Sequence, residues 1–564
     1  MRYLPKKWWH DAIIYQVYLR SFQDSNHDGI GDIQGIIQRV EYLKSLGINT
    51  IWISPHYDSP MDDNGYDVKD FFTVSPDYGT LEDFKQLIHV AHKNQMYVIT
   101  DLVLNHTSDE HPWFQAAKDP NHPEHAYYKD FYIWHDPKQD KNGENTLPTQ
   151  WVSWFGGPVW EYVEALNQYY LHIFSKKMPD LNWRNKNMKK ALKAAIQFWI
   201  DLGVDGFRID ASNHLEKNWD FPEGKPGYEH FSSLPKHHEY LQELGRELFK
   251  PNDLLILGES GGAKRQEALQ YAGKDSHEFN LLIHFEHCWA DGDDTNKKTP
   301  GKWAKGTIDL AHIKQSFAYW IDIFKEEGFH TLFWHNHDQP RIVSHYGDDA
   351  KYHQRSAKML AMSLYLLPGI PIVYYGEEIG MTNVDYEQLS DFRDVEVFTE
   401  YDNFINNGAN HGEAMQALKD RARDNARTPM QWHDGPFAGF SKVTPWINVN
   451  GNKTTINVQQ QQTDEHSILS LYKTLLKLRK EEDLAYGAVD FYNIEDQNTF
   501  NTLVSGKHHD YLMLCNFKDT PIKQPMDTLL DGAFTLYLHN MPTTPQGSSF
   551  EPYEARIYRK KSEK

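Results

Sequence analysis

Eight short apolar runs recur along the chain, and several are separated by stretches with the period of an α-helix. The runs predict strands over 13–18, 50–53, 96–104, 206–210, 254–259, 280–285, 331–334 and 370–375. Apolar positions three and four residues apart predict helices over 33–46, 81–94 and 188–202. This alternation is typical of parallel strands joined by crossover helices, and eight repeats favour a closed (β/α)8 TIM barrel. The competing open sheet would need a glycine-rich phosphate turn, which we do not find in the sequence.

Two segments depart from the repeat. Residues 107–177 are rich in His, Pro, Asp, Trp and Tyr, and predict an inserted domain or lid on the rim after the third strand. After an irregular stretch over 380–460, a helix over 467–479 is expected to close the barrel. Short alternating runs at 511–516, 534–538 and 555–558 then indicate a C-terminal antiparallel β domain. We therefore expect a barrel over 1–106 and 178–485, an inserted domain over 107–177, and a C-terminal β-sandwich domain over 486–564.

Composition narrows the class of protein. The formal charge of −21 disfavours nucleic acid or an anionic membrane as partner. The 17 Trp and 32 Tyr exceed what a core needs, and such rings also stack on sugars. Two cysteines make no disulfide framework, and neither a signal peptide nor an apolar run of about 20 residues is evident. We expect a cytoplasmic protein without a membrane span, a monomer or weak homo-oligomer, that uses no organic cofactor.

Three acidic residues each come at the end of an apolar run. Asp210 closes 206–210, Glu259 closes 254–259, and Asp338 follows 331–334. The carboxyl ends of barrel strands meet at one rim, so we expect these side chains to lie together. Carboxylates without a phosphate loop or reactive cysteine indicate glycoside chemistry.

The spacing suggests a role for two of these acids. Arg208 lies two positions before Asp210 on the same strand face, where it would lower the pKa of that carboxyl group and keep it charged. Asp210 therefore suits the nucleophile of a retaining glycosidase. Glu259, on the neighbouring strand, suits the general acid/base.

Further polar groups come at the same strand ends. Asp338, His106 and His337 would hydrogen-bond sugar hydroxyls and support a positively charged transition state. For any one acid, a buried ion pair or a helix cap is the alternative. The two histidines with Asp338 are also metal-ligand types, but nothing here has HExxH spacing.

Five motifs run through the barrel in a fixed order: Asp101-Leu-Val-Leu-Asn105-His106, Met178-Pro-Asp-Leu-Asn182, Gly206-Phe-Arg-Ile-Asp210, Gly258-Glu259 and Asn336-His337-Asp338. Together they resemble the α-amylase family of glycoside hydrolases, and above all its oligo-1,6-glucosidase and α-glucosidase branch. The resemblance implies that Asp210 is the nucleophile, Glu259 the acid/base and Asp338 the transition-state stabiliser. It also implies exo action on short oligosaccharides, through a closed pocket in which one terminal glucose is held by Asp63, Tyr66, His106, Arg208, His337 and Arg427.

A further motif lies in the first βα loop, Asp24-Ser25-Asn26-His27-Asp28-Gly29-Ile30-Gly31-Asp32. Oxygen-bearing side chains at positions 1, 3, 5 and 9, with glycine at position 6, match the first part of a calcium loop. Position 12 is glycine, so the loop is not an EF-hand, and an acidic turn that caps the next helix is the alternative. The resemblance implies a structural Ca²⁺ bound by Asp24, Asn26, Asp28, the carbonyl of Ile30, and Asp32.

The sequence defines the substrate less closely than it defines the reaction. The resemblance implies that valine after the nucleophile goes with α-1,6 preference and a smaller residue with α-1,4 cleavage, so Ala211 slightly favours α-1,4 or broad activity. A trehalose-6-phosphate hydrolase would share every motif but needs a basic cluster at the pocket mouth, for which Lys129, Lys138 and Lys141 are candidates. A sucrose isomerase would carry an arginine-rich loop, which we do not find. A non-catalytic transporter subunit of this fold would normally have a membrane helix and lack the carboxylates.

Overall fold

Eight parallel strands form the centre of the computed structural model, which describes residues 7–530 and 532–563. They are β1 (Ile14–Val17), β2 (Thr50–Ile53), β3 (Tyr97–Val103), β4 (Gly206–Asp210), β5 (Leu255–Glu259), β6 (Leu281–Ile283), β7 (Thr331–Leu332) and β8 (Ile370–Tyr374). Their order is β6-β5-β4-β3-β2-β1-β8-β7. Between β6 and β7, the Thr331 hydroxyl donates to the Leu282 carbonyl at 2.8 Å. The predicted (β/α)8 barrel is confirmed.

A helix follows each strand. The eight helices are α1 (Ile33–Leu46), α2 (Leu81–Lys93), α3 (Lys186–Leu202), α4 (Lys236–Leu244), α5 (Ala268–Ala272), α6 (Leu310–Phe324), α7 (His353–Tyr365) and α8 (Ile468–Glu481). Local sequence sets their ends: the Asp32 side chain accepts from the Gly35 N–H at the start of α1, and Gly47 ends that helix with a φ of +97°. The strands are buried on both faces, which explains their continuous apolar runs.

The segment between β3 and α3 forms a layer of its own. Its antiparallel sheet has the order Trp134–His135, Gln168–Leu171, Trp160–Val163, and a short ribbon pairs Lys138–Gln139 with Asn145–Thr146. Two helices, Pro112–Lys118 and His125–Tyr128, precede the sheet. Large apolar side chains give the segment a separate core, which includes Ile133, Trp151, Trp160 and Leu171. An insertion after the third strand is thus present, while the boundaries 107 and 177 stay predictions.

Two helices between β8 and α8 fall within the stretch that the sequence pattern leaves irregular. They are Val395–Asn406 and His411–Arg421, and they bury a cluster around Val397, Phe404 and Leu418. This excursion leads to a short 3-10 turn, Arg423–Arg427, at the barrel rim.

The C-terminal part is an antiparallel sheet, as predicted. Its strands lie in the order Ala488–Tyr492, Asn501–Ser505, His509–Cys515, Ala555–Lys561, Thr535–His539. A second, two-stranded sheet pairs Ile522–Lys523 with Ser549–Phe550. Across residues 7–530 and 532–563, no helix has the length and apolar character needed to cross a membrane.

Candidate active site

One guanidinium group joins the acids at the ends of β3, β4 and β5. Arg208 is 1% exposed, and its Nη1 donates to Asp210 Oδ1 at 2.8 Å and also to Asp101. Its Nη2 lies 2.8 Å from Glu259 Oε2. The two acids predicted to react are therefore bridged by the fork of a single arginine.

The parallel register of the strands produces this bridge. Arg208 pairs with Asp101 of β3 and with Leu257 of β5, and Glu259 lies two residues further along β5, on the same face as its Leu257. Asp101 is fixed from its other side, because Trp52 Nε1 donates to its Oδ2 at 2.8 Å. Each carboxylate thus has a defined direction.

Arg208 contacts three carboxylates, so its single charge does not by itself set the pKa of Asp210. Burial raises the pKa of Asp210 well above its ordinary value; Arg208 opposes this, while the charges of Glu259, Asp101 and Asp338 add to it. The net direction is opposite to the lowering expected from Arg208 alone. Asp210 and Glu259 are thus held on the same cation, and the charge of Glu259 is one of the causes that raise the pKa of Asp210.

Asp338 lies in a more positive environment. Its Oδ1 accepts from Arg427 Nη2 at 3.1 Å and from Arg423 Nη1 at 3.4 Å, and its Oδ2 lies 3.3 Å from His337 Nε2. Burial would raise the pKa of Asp338, but His337 and the arginines outweigh it and hold that pKa below the ordinary range. Its side chain is 28% exposed, so the charge faces an open space. The site thus combines two carboxyl groups on one arginine with a third carboxylate whose ionised form two other arginines favour.

Tyr66 connects the remaining predicted residues. Its hydroxyl lies 2.8 Å from His337 Nε2 and accepts from Arg208 Nη1 at 3.3 Å, and its carbonyl lies 3.2 Å from His106 Nε2. Gln16 Nε2 lies 2.9 Å from His337 Nδ1. Burial lowers the pKa of both His106 and His337 to about 3, so both rings are neutral near pH 7. The structure therefore brings together all six predicted substrate-binding residues, with Asp63 and Arg427 placed through the arginine contacts described next.

Arg423 and Asp394 are site residues that the sequence reasoning missed. Arg423 Nη2 donates to Asp63 Oδ1 at 3.2 Å, and Nε and Nη2 donate to the two oxygens of Asp394 at 2.5 and 2.7 Å. Arg427 Nε donates to the His337 carbonyl at 3.0 Å. The sequence did offer a signal for Arg423. It lies four residues before Arg427, and this spacing places both side chains on one short turn. Asp394 gave none, because it follows an irregular segment.

Ala211 turns the chain immediately after Asp210. It has φ +45° and ψ +39°, in the left-handed region, and its N–H donates to Glu259 Oε2 at 3.1 Å. A β-branched residue is rarely found in that conformation. The residue predicted to influence linkage therefore also helps to hold Glu259.

The predicted calcium loop is closed by its own hydrogen bonds. Asp24, 1% exposed, accepts from the N–H groups of His27 and Gly29 at 2.6 and 2.9 Å and from Ser441 Oγ at 2.6 Å. Asp28 Oδ1 accepts from the Ile30 N–H at 2.8 Å. The oxygen-only donor set fits calcium, but in the described part of the chain no three His, Cys, Asp or Glu side chains converge as a metal site.

One predicted ligand has a second role in the loop. Asp32 accepts from the N–H groups of Ser25 and Gly35 at 2.8 and 2.6 Å and thereby caps α1. The capping turn that the sequence left as an alternative is thus present for this residue. Burial also raises the pKa of Asp32, a cost that a nearby cation would offset.

The fold and motifs match known proteins over their full length. The family described as Alpha amylase, catalytic domain, matches residues 16–487. An oligo-1,6-glucosidase from Parageobacillus thermoglucosidasius is 40% identical over 572 residues, covering 99% of each chain. The crystal structure of trehalose-6-phosphate hydrolase from Bacillus licheniformis is 38% identical with a TM-score of 0.88, covering 99% of this chain and 100% of that one. The crystal structure of isomaltulose synthase from Klebsiella sp. LX3 is 35% identical with a TM-score of 0.90, covering 98% and 99%.

Arg423→Gln should destabilise the protein in a pH-dependent way. The change removes a cation that Asp63, Asp338, Asp394 and Glu396 share. Asp338 and Asp394 keep Arg427 and Glu396 keeps Lys302, whereas Asp63 loses the one ion pair that it has among the described residues. We expect a loss of about 3 kcal/mol in the free energy of unfolding at pH 7. The arginines hold the pKa of Asp338 and Asp394 low in the wild type, so their stabilisation is present above the ordinary carboxyl range and is lost only at acidic pH.

Burial already raises the pKa of Asp63 and Arg423 opposes this, so in the variant that pKa should rise further. The folded state should then take up a proton, and the deficit should shrink as pH falls from 7 to 5. Denaturant unfolding at both pH values measures this. The double variant Arg423→Gln/Asp394→Asn, which also removes a carboxylate that Arg423 binds in the wild type, should recover part of the loss at pH 7. A deficit that is equal at both pH values would assign the effect to lost packing.

Proposed function

The chain belongs to the α-amylase family of glycoside hydrolases, and from this membership we propose that it is a retaining, exo-acting α-glucosidase. It would hydrolyse terminal non-reducing α-linked glucose from short oligosaccharides. The observation that carries the proposal is the Arg208 fork between Asp210 and Glu259. Two carboxyl groups on one guanidinium fit the separation of about 5–5.5 Å in retaining enzymes better than the wider gap that an inverting enzyme fills with water.

The reaction needs one carboxylic acid and one carboxylate. Glu259 would act as the acid and pass its proton to the glycosidic oxygen as that bond breaks. The Asp210 carboxylate attacks C1 and forms a glucosyl ester. Glu259 then removes a proton from water, the hydroxide attacks C1, and the ester bond to Asp210 breaks. Asp338, ionised at neutral pH, stabilises the positive charge that develops on the sugar.

The pocket residues support binding of one terminal glucose. Asp63 and Arg427 are buried and linked by Arg423 and Asp338, and Tyr66 and His337 stack with ring centroids 5.3 Å apart. Their oxygens and N–H groups would meet the hydroxyls of the sugar.

The charges near this pocket disfavour the phosphorylated substrate. Glu396 pairs with Lys302 and Arg423, and Glu400 lies in the same helix. Of the lysines considered as a phosphate site, Lys129 donates to Gln168 and Lys138 pairs with Glu223. We therefore rank trehalose-6-phosphate hydrolase second. Sucrose isomerase follows, and the acids present in the site argue against a non-catalytic subunit.

We also propose a structural Ca²⁺ in the loop of residues 24–32, held by the side chains of Asp24, Asn26, Asp28 and Asp32 and the carbonyl of Ile30. A bound cation would neutralise a buried acidic turn next to α1 and would supply no chemistry.

The buried and unpaired cysteines, Cys288 and Cys515, support the proposal of a reducing, cytoplasmic location.

The stereochemistry of the product should distinguish the roles of the two reactive acids. In Glu259→Ala, hydrolysis of p-nitrophenyl α-glucoside should fall about 10²–10⁴-fold. Added azide should then attack the glucosyl ester from the face that the leaving group vacated, giving α-glucosyl azide. In Asp210→Gly, azide should displace the leaving group from the opposite face in one step, giving β-glucosyl azide. NMR identifies the anomers.

The partly exposed acid Asp140 of the inserted segment supplies the control. Asp140→Asn should turn over normally and give no azide product. If Glu259→Ala gave the β-azide and Asp210→Gly gave the α-azide, the roles of nucleophile and acid/base would be exchanged. Near-normal turnover by Asp210→Gly would exclude the retaining mechanism with this nucleophile.

Ala211→Val should raise the ratio of kcat/KM for isomaltose over that for maltose by about tenfold, or about 1.4 kcal/mol between the two transition states. The added methyl groups enter the left-handed turn beside Asp210 and narrow the space for the leaving sugar. Initial rates on maltose, isomaltose, sucrose and trehalose-6-phosphate measure the preference. Dominant wild-type activity on the phosphorylated sugar would overturn the first choice of substrate.

The backbone cost of branching needs its own control. Ala211→Thr has the same shape and the same strain as valine but carries a hydroxyl group. If threonine and valine lower the unfolding temperature equally and only valine changes the ratio, polarity at this position decides linkage. An unchanged ratio in both variants would show that residue 211 does not set it.

Calcium should stabilise the fold without changing turnover. We expect saturating Ca²⁺ to raise the unfolding temperature by about 5 °C and a chelator to reverse this. Asp28→Asn should abolish the response. Asp140→Asn, in another hydrogen-bonded acidic turn, should keep it. A wild-type unfolding temperature that is indifferent to calcium and chelator would contradict the proposal.

A further inference from the structure

An exposed aromatic pair lies at the edge of the inserted segment. Trp154 is 40% exposed, and its indole stacks on Tyr228 with ring centroids 4.2 Å apart and planes 5° apart. The rings of His214 and Phe231 approach the indole at 55° and 90°. Among the described residues, Tyr228 is thus the only ring stacked parallel to the Trp154 indole, and 40% of the Trp154 side chain remains exposed.

The pair is linked to the pocket through the next residue. The ring of Phe155 lies 5.1 Å from the guanidinium carbon of Arg423. Arg423 binds Asp63 and Asp338. Trp154 is therefore next in sequence to a residue of the pocket wall, Phe155. The Phe155 ring separates Trp154 from the charged groups of the pocket.

A second route joins the pair to the pocket. His214 follows Asp210 by four residues, and its ring lies 5.7 Å from that of Trp154 and 5.9 Å from that of Phe174. The Phe174 ring lies 5.4 Å from His106. An aromatic row therefore leads from the glucose pocket to the surface.

The backbone around the pair is well fixed. The Trp154 N–H donates to the Ile173 carbonyl at 2.9 Å, and Ser153 Oγ donates to the Phe174 carbonyl at 2.8 Å. Gly156 meets the helix that begins at residue 395, because a Cβ there would lie 3.2 Å from Thr399 Cγ2. A ring held in place before binding loses little freedom when a sugar covers it.

We propose that Trp154, supported by Tyr228, binds the second glucose unit of the leaving group, the one beyond the sugar at the cleaved bond. This rests on the proposed function. The first leaving unit would lie beside Phe155, so the exposed part of the Trp154 indole is about one sugar further out. A flat apolar ring suits the apolar face of a pyranose. The pair would therefore set chain-length preference rather than reactivity.

Trp154→Ala tests the proposal with isomaltose and isomaltotriose. We expect kcat/KM for the trisaccharide to fall about tenfold, the effect of one good aromatic contact, and that for the disaccharide to stay within about twofold. Trp154→Phe should keep most of the trisaccharide rate. Tyr162→Ala is the matched control, since Tyr162 is 38% exposed in the same segment and its ring contacts Tyr169. This variant should leave both rates unchanged.

The outcomes separate this proposal from the function on which it rests. Equal losses on both substrates would place Trp154 at the first leaving unit and overturn the proposal, as would no loss on either. Unfolding temperatures close to that of the wild type show that the variants are folded. If the alanine variant is not folded, Trp154→Leu, which keeps an apolar side chain but no flat ring, should show the same loss on the trisaccharide alone, and its absence would overturn the proposal. If the wild-type protein acts on maltose and maltotriose but not on the α-1,6 sugars, the same comparison is made with that pair. A wild-type protein that releases glucose from none of the four contradicts the proposed function itself.

Discussion

The Arg208 guanidinium is the constraint on which the rest of the site depends. It is buried at the ends of three neighbouring strands and contacts a carboxylate on each of them. Without it, Asp101, Asp210 and Glu259 would be three like charges in a largely buried space with no cation between them, which is costly for a fold. With it, each of the three carboxylates has a positive partner. The arginine thus makes the reactive acids compatible with burial.

Two different kinds of force position the acids. Asp210 and Glu259 are carried by β4 and β5, where hydrogen-bonded register decides which face each side chain takes, and a slip of one residue would reverse it. Asp338 follows β7, which has only two residues, and then a loop. Its direction comes from Arg423 and Arg427, which are far along the chain. The sheet thus positions Asp210 and Glu259, whereas ion pairs position Asp338.

This difference explains what sequence alone could predict. The strands of the barrel and the acids at their ends were accessible, because apolar runs and a terminal carboxylate are local patterns. The expectation for the pKa of Asp210 was wrong in its net direction. Arg208 lowers that pKa as expected, but burial raises it more, and the charges of Glu259 and Asp101 add to the rise. Neither burial nor these distant neighbours can be read two residues away in the sequence. Asp394 was missed for the same reason. Its partner is 29 residues later, and no periodicity relates them.

The arginine turn at 423–427 has a consequence for synthesis. Chains are made from the N-terminus, and domains fold as their residues emerge. A nascent chain that has reached β8 already has Asp210, Glu259 and Asp338, but it lacks the two cations that hold Asp338 and Asp63 in place. The glucose pocket is therefore among the last parts of the barrel to be completed. An unfinished chain would carry the reactive acids and yet have little means of holding a sugar against them.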